Sequence, residues 1–206
     1  LEFQKGFEKM EKLNLTAIPI FLVALEVELP SSGFPNLNIQ YTGVGKVNAA
    51  YHTMKSIQTY KPTMVINFGS AGAVRSDISG LVQVSRVIQR DMDVQGLGFE
   101  LGQTPFETGE DSFELEDCSK IDNNHDGIKV SCSTGDNFVS EEPKLTSDIV
   151  DMELYAIAKI CSRESVPLFS WKYISDQADG NSPKDWESNV SRGVEAFKNI
   201  VLSQFT

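Results

Sequence analysis

Residues 149–180, IVDMELYAIAKICSRESVPLFSWKYISDQADG, constrain the fold more than any other part of the chain. Met152, Tyr155, Ala156, Ile160 and Cys161 recur at spacings of three and four, which predicts a helix over about 152–164 with those residues on its inner side. Pro167 cannot continue that helix. The apolar and aromatic run over 167–174 then reads as a buried strand. Strand, helix and strand in succession make a crossover that sets the two strands parallel. Carboxylates follow both: Asp151 and Glu153 after the first, Asp176 and Asp179 after the second. Open parallel sheets bind ligands outside the carboxyl ends of their strands, so the acids gather where a substrate would lie. Spacing alone also admits a purely structural reading, because Asp and Ser cap helices and acids near a helix start favour its dipole.

The rest of the chain continues this alternation. Residues 1–15 read as a short polar helix and 18–25 as a strand, after which Glu26 and Glu28 share a face if the chain stays extended. A short strand over 37–41 leads through Gly43-Val44-Gly45 into a helix over 46–60, with Val47, Ala50, Met54 and Ile57 on one stripe. The strand over 63–68 ends in Gly69, Ser70, Ala71, Gly72 and Ala73, small residues that let a ligand approach the backbone. A strand over 81–88 runs into Arg90, Asp91, Met92 and Asp93. Residues 96–126, rich in Gly, Asp, Glu and Asn, read as a long loop, and 127–133 as a strand. Ser182 and Pro183 open a last helix to about 205, with Trp186, Val190, Val194, Phe197 and Val201 inward. Neither a repeat nor a linker divides residues 1–206, which read as one α/β domain of three layers, a mostly parallel twisted sheet flanked by helices.

Several function classes fall away on composition. A net charge of −11 would be repelled by nucleic acid and by anionic membranes, so neither is an expected partner. The apolar run over 17–25 covers half the length of a membrane span. Cys118, Cys132 and Cys161 are odd in number and lack a CxxC spacing, which suits a reducing, cytoplasmic setting without a zinc site or disulfides. Asn48 stands where GxGxxG needs its third glycine, and no P-loop pattern surrounds Lys46. His52 and His125 are too few to supply a histidine triad or a metal site. Carboxylates therefore carry any acid and base chemistry, and chemistry run by carboxylates alone on a sugar-like substrate is what glycosidic cleavage requires.

Four segments taken together resemble the nucleoside phosphorylase and nucleosidase superfamily: TGVGKVNAA over 42–50, NFGSAG over 67–72, STGDNFV over 133–139, and VDMELYAIA over 150–158 followed by ISDQAD over 174–179. The resemblance is to the methylthioadenosine/S-adenosylhomocysteine nucleosidases and extends over about 18–201. It implies a purine nucleoside phosphorylase-like fold and a hydrolase that frees adenine from a ribosyl carbon without metal or cofactor. On the matching positions, Asp176 protonates the purine at N7, Glu28 activates water and Glu153 binds the ribose hydroxyls. Met152 packs on the sugar, Phe138 and the Val139 backbone clamp the purine, and Trp186 lies over the base. Ser70 contacts the attacking water, with Lys172 standing where the nucleosidases have an arginine that helps to position it. Ala71, Gly72, Asp151, Ser175 and Ala178 complete the implied binding set. The segment 91–106 aligns with residues lining the alkylthio group and the dimer contact, naming Val94, Leu97, Phe99 and Pro105 and implying a homodimer.

Physical chemistry agrees with these roles. A purine anion leaves poorly unless protonated, and positive charge developing on the ribosyl group is stabilised by nearby carboxylates. The phosphorylases of the superfamily carry a Gly and Arg pair after the first strand, whereas Glu26, Val27 and Glu28 here would repel phosphate. Water is therefore the expected nucleophile. Arg90 replaces a histidine, and the regions 107–127 and 140–148 are shorter than usual. Other readings are a different N-ribosyl hydrolase, acting on aminofutalosine or a nucleotide, and a non-catalytic binding or storage descendant. Retention of Glu28, Glu153 and Asp176 together argues against the last.

Overall fold

The computed structural model describes residues 19–107, 111–121, 127–140 and 143–205. The expected helix over 1–15 and residues 122–126 of the expected loop, with His125, lie outside the described residues. The strands are β1 (Ile20–Val23), β2 (Asn38–Tyr41), β3 (Val65–Ala73), β4 (Leu81–Gln89), β5 (Ser112–Glu114), β6 (Lys129–Thr134), β7 (Ile149–Asp151) and β8 (Leu168–Asp176). The helices are α1 (Lys46–Tyr60), α2 (Leu154–Arg163), α3 (Ser182–Asn189) and α4 (Gly193–Ile200). Alternation along the strands builds two apolar layers. In β1, Ile20 and Leu22 face a core completed by α1 and α2, while Phe21 and Val23 face one completed by Phe197 and Val201. The architecture is α/β, with helices on both sides of one mixed sheet.

Strands β2, β1, β3 and β8 run parallel to one another, as do β4, β6 and β7. The two sets meet antiparallel at β8–β4 and at β3–β7, which closes β3, β8, β4, β6 and β7 into a ring. Strand β7 thus runs opposite to β8, and the expected parallel crossover does not form. Helix α2 instead returns the chain to the far side of β3. The acids still converge, because Gly72 of β3 has Val150 opposite it on one side and Asp176 on the other.

Other differences have local causes. The small residues 69–73 continue β3, and they make room inside the sheet: a Cβ on Gly72 would lie 2.7 Å from Asp176 Oδ1, and one on Gly69 3.3 Å from Glu28 Oε1. Residues 25–29 turn instead of extending, with Glu28 N donating to Leu25 O at 3.0 Å. Glu26 is exposed and Glu28 buried as a result. The expected loop over 96–126 contains β5, antiparallel on β4, and Phe113 packs on Tyr155 of α2 at 5.3 Å between ring centroids. The last helix is interrupted over Val190–Arg192 and resumes at Gly193, where a Cβ would lie 2.6 Å from Tyr173 Cβ, so the chain can press on the sheet there. Helix α1 has the expected ends but a rotated face. It buries Ala49, Thr53, Ser56 and Ile57, leaving Val47 79% and Tyr51 60% exposed.

Candidate active site

A cavity of about 300 Å³ opens where β1, β3, β6, β7 and β8 end. Of the residues expected from sequence, Glu28, Ser70, Ala71, Gly72, Phe138, Val139, Asp151, Met152, Glu153, Ser175, Asp176 and Trp186 line it. Val94, Leu97, Phe99, Pro105, Lys172 and Ala178 are not in its wall. Phe99 packs edge-on against Phe106 at 5.2 Å, and Leu97 is largely exposed. Ala178 acts from behind: its N–H donates to Asp176 Oδ1 at 3.0 Å, from a left-handed backbone with φ +50°.

Each acid has its own surroundings. Glu28 Oε1 accepts from Ser70 N (2.8 Å) and Ser70 Oγ (2.7 Å), and Oε2 accepts from Leu25 N (3.0 Å). Trp186 Nε1 donates to Ser70 Oγ at 2.9 Å, so the indole fixes the hydroxyl that fixes the carboxylate. Asp176 Oδ2 accepts from Ser175 Oγ at 2.8 Å. Ser175 is an extra residue in β8 opposite the Ala71–Gly72 step, and such a bulge re-aims the side chains beside it.

Asp151 turns its carboxylate away from the cavity. Oδ1 accepts from Thr134 Oγ1, Oδ2 accepts from Leu154 N at 2.9 Å, and Lys172 Nζ lies 2.8 Å from Oδ2. Burial opposes this charge, but Lys172 and the hydrogen bonds outweigh it and hold Asp151 below the usual carboxylate range. Burial likewise opposes the Lys172 ammonium, and Asp151 with Glu153 outweighs it, raising Lys172 above its ordinary value. Lys172 is thus sealed in a buried ion pair beneath the site, not set in the wall where a nucleophile would meet it.

Glu153 precedes α2, and its Oε1 accepts from Gly45 N at 2.8 Å. Asp136 Oδ1 accepts from the next amide, Lys46 N, at 2.7 Å. The start of α1 is therefore capped by two carboxylates distant in sequence, and its dipole faces the site. The glycines at 43 and 45, with φ of +77° and +89°, serve this placement rather than a nucleotide loop. Burial, then the charge of Asp151, pushes Glu153 up to about 7. A carboxyl that binds its proton more tightly when folded loses stability as pH rises from its unfolded value to its folded one. Glu153→Gln lacks this loss, so between about pH 4.5 and pH 7 it should gain on the parent protein by on the order of 2–3 kcal/mol. Parallel urea titrations across that range measure the difference, and a constant offset contradicts the assignment.

Arg90 is the wall residue that the sequence reading noted only as a departure. It is 7% exposed, and its Nη1 and Nη2 donate to the carbonyls of Ser133, Asp151, Gly135 and Asn137. Isolated arginines after strands carry no sequence signal of such bonding.

The family model of the Phosphorylase superfamily matches residues 26–205. This chain belongs to that superfamily. Among its relatives, the 5′-methylthioadenosine/S-adenosylhomocysteine nucleosidase of Buchnera aphidicola is 32% identical over 179 residues, covering 78% of this chain and 77% of the relative. That of Bacillus thuringiensis is 33% identical over 177 residues, with the same coverage. Solved structures share the superfamily fold at lower identity. A Helicobacter pylori nucleosidase variant with 5′-methylthioadenosine in its active site is 19% identical and covers 93% of this chain and 99% of its own, with TM-score 0.82. A futalosine hydrolase mutant of the same organism is 18% identical and covers 92% of this chain and 99% of its own, with TM-score 0.83.

Proposed function

We propose that this protein is an N-glycosyl hydrolase that splits 5′-methylthioadenosine or S-adenosylhomocysteine with water, releasing adenine. The observation that carries this reading is the placement of Glu28, Glu153 and Asp176 in one cavity of a superfamily member whose relatives at 32–33% identity bear that activity in their names. Asp176 gives its proton to N7 as the bond to the ribosyl carbon lengthens, which turns the base into a better leaving group. Phe138 and the main chain at Val139 hold the base, Met152 packs on the sugar, and Glu153 accepts from the ribose hydroxyls. Glu28, oriented by Ser70, takes a proton from the attacking water, and the carboxylates favour the oxocarbenium-like charge between them.

Water suits this wall better than phosphate. Arg90 is the cation among the described lining residues, and the hydrogens of both its terminal nitrogens are already bound to main-chain carbonyls. We place the reaction in a methionine-salvage step in the cytoplasm, a setting that the buried thiols of Cys132 and Cys161 suit. We also propose a two-fold dimer in which the segment 91–106, with Val94, Leu97, Phe99 and Pro105, closes the partner's cavity around an uncharged thioether. The outward Val47 and Tyr51 of α1 and the exposed Leu97 and Phe106 support such a contact.

A panel of nucleosides tests the substrate class. Adenine should appear from methylthioadenosine or S-adenosylhomocysteine and not from AMP, whose phosphate meets an acidic wall. Release from AMP alone would overturn the reading. Release from aminofutalosine alone would move the protein to the other hydrolase.

A further inference from the structure

We propose that Arg90 is a positioning residue that clamps the purine wall of the cavity against its ribose wall and so sets how tightly adenine is held. Arg90 follows β4, and its own N–H donates to Thr134 O at 2.9 Å. Nη1 donates to Ser133 O and to Asp151 O, both at 2.7 Å, and Nη2 donates to Gly135 O at 3.1 Å and Asn137 O at 2.6 Å. Ser133 lies in β6, and Gly135 and Asn137 belong to the loop that carries Phe138 and Val139. Asp151 ends β7 and leads directly into Met152 and Glu153. One guanidinium thus ties together the two chain segments between which the nucleoside would lie.

The chemistry of the group explains the choice of residue. Where parallel strands end side by side, carbonyls run short of main-chain partners, and burial makes an unmet one costly; Asp151 O has one such partner, accepting from Gly135 N at 3.2 Å. A planar fork with four terminal hydrogens satisfies four carbonyls at fixed angles, whereas the single nitrogen of lysine cannot bridge them. Arg90 Nε is buried without a partner, so the terminal nitrogens carry the side chain's hydrogen bonding. The neighbouring Asp91 is engaged elsewhere, by Lys46 and by the amide of Asp136. Arg90 therefore acts on the position of the main chain. Gly135 completes the device, because a Cβ there would lie 3.0 Å from Arg90 Cγ and Cζ.

The clamp sits on the β4, β6 and β7 side of the cavity, while Glu28 and Asp176 follow β1 and end β8. Loosening it should weaken ligand binding and spare the chemical step. The test uses Arg90→Lys, and Gly135→Ala as a second variant that displaces the guanidinium without removing it. Kinetics with methylthioadenosine, adenine inhibition constants and thermal melts are measured on each. In Arg90→Lys, KM and the adenine Ki should both rise by about tenfold or more, kcat should fall by less than about threefold, and the pH–rate profile should keep its shape. Gly135→Ala should move KM and Ki in the same direction by a smaller factor. Unchanged KM and Ki with only a lower Tm would overturn the proposal, as would failure of both variants to fold. The inference rests on the nucleoside reading, and the two fail differently. A parent protein that binds no adenine removes the reading, whereas parent-like adenine binding in both variants removes only the role of Arg90.

Discussion

Asp176→Asn should fold normally and bind adenine nucleosides, yet lose about 10²- to 10⁴-fold in kcat, the usual contribution of a positioned acid. The hydrogen bonds around this side chain allow the exchange. Asparagine Oδ1 can still accept from Ala178 N, now at 3.0 Å. Its Nδ2 can donate to Ser175 Oγ, provided that hydroxyl gives its own hydrogen to Ala71 O, which is already 3.3 Å away. Shape and polarity survive while the transferable proton is lost. Single-turnover adenine release together with calorimetric binding separates the two effects. Full activity in this variant would remove Asp176 from protonation of the leaving group.

Glu28→Gln should cost a similar factor in kcat through loss of the base, and it should also lower stability. All three groups around the carboxylate donate: Ser70 N and Ser70 Oγ to one oxygen, Leu25 N to the other. Whichever oxygen becomes Nε2 then faces a donor, an unmet polar contact that costs about 1–3 kcal/mol. Asp176→Asn carries no such conflict, so the two variants should differ in Tm while sharing the loss of turnover. Glu26→Gln serves as the control, since Glu26 is exposed and should retain parent activity. An inactive Glu26→Gln with an active Glu28→Gln would shift the base by two residues.

The acids of the candidate cavity were legible because they lie at or shortly after the ends of apolar strands, which are easy to find. Helix α1 keeps its expected ends, since Gly45 marks its start, and Ile57 of the expected stripe is buried with Ala50 packed beside the core, but the inward face is rotated away from Val47. There the core takes Ala49, Thr53 and Ser56, small residues that let the helix lie close to the sheet, while the apolar Val47 and Tyr51 point outward. Hydrophobic periodicity reports the greasiest face of a helix, not the face its own chain covers. Strand direction was misjudged for a different reason. A three-residue β7 has no local signal that it runs against β3, and ring closure decides it through pairings far apart in sequence. The resemblance gives Lys172 a water-positioning role, because it stands where the nucleosidases have an arginine. Its pairing with Asp151 depends on which face of β8 it occupies and on what β7 brings opposite.

Water as the nucleophile is the central claim, and cleavage of methylthioadenosine in ¹⁸O-enriched water with added inorganic phosphate tests it most directly. The wall built from Glu28, Ser70 and an Arg90 whose terminal nitrogens are bound to main-chain carbonyls predicts free adenine and a 5-methylthioribose carrying the label at C1, at a rate independent of phosphate. An unlabelled sugar 1-phosphate, formed in proportion to the phosphate supplied, would contradict it.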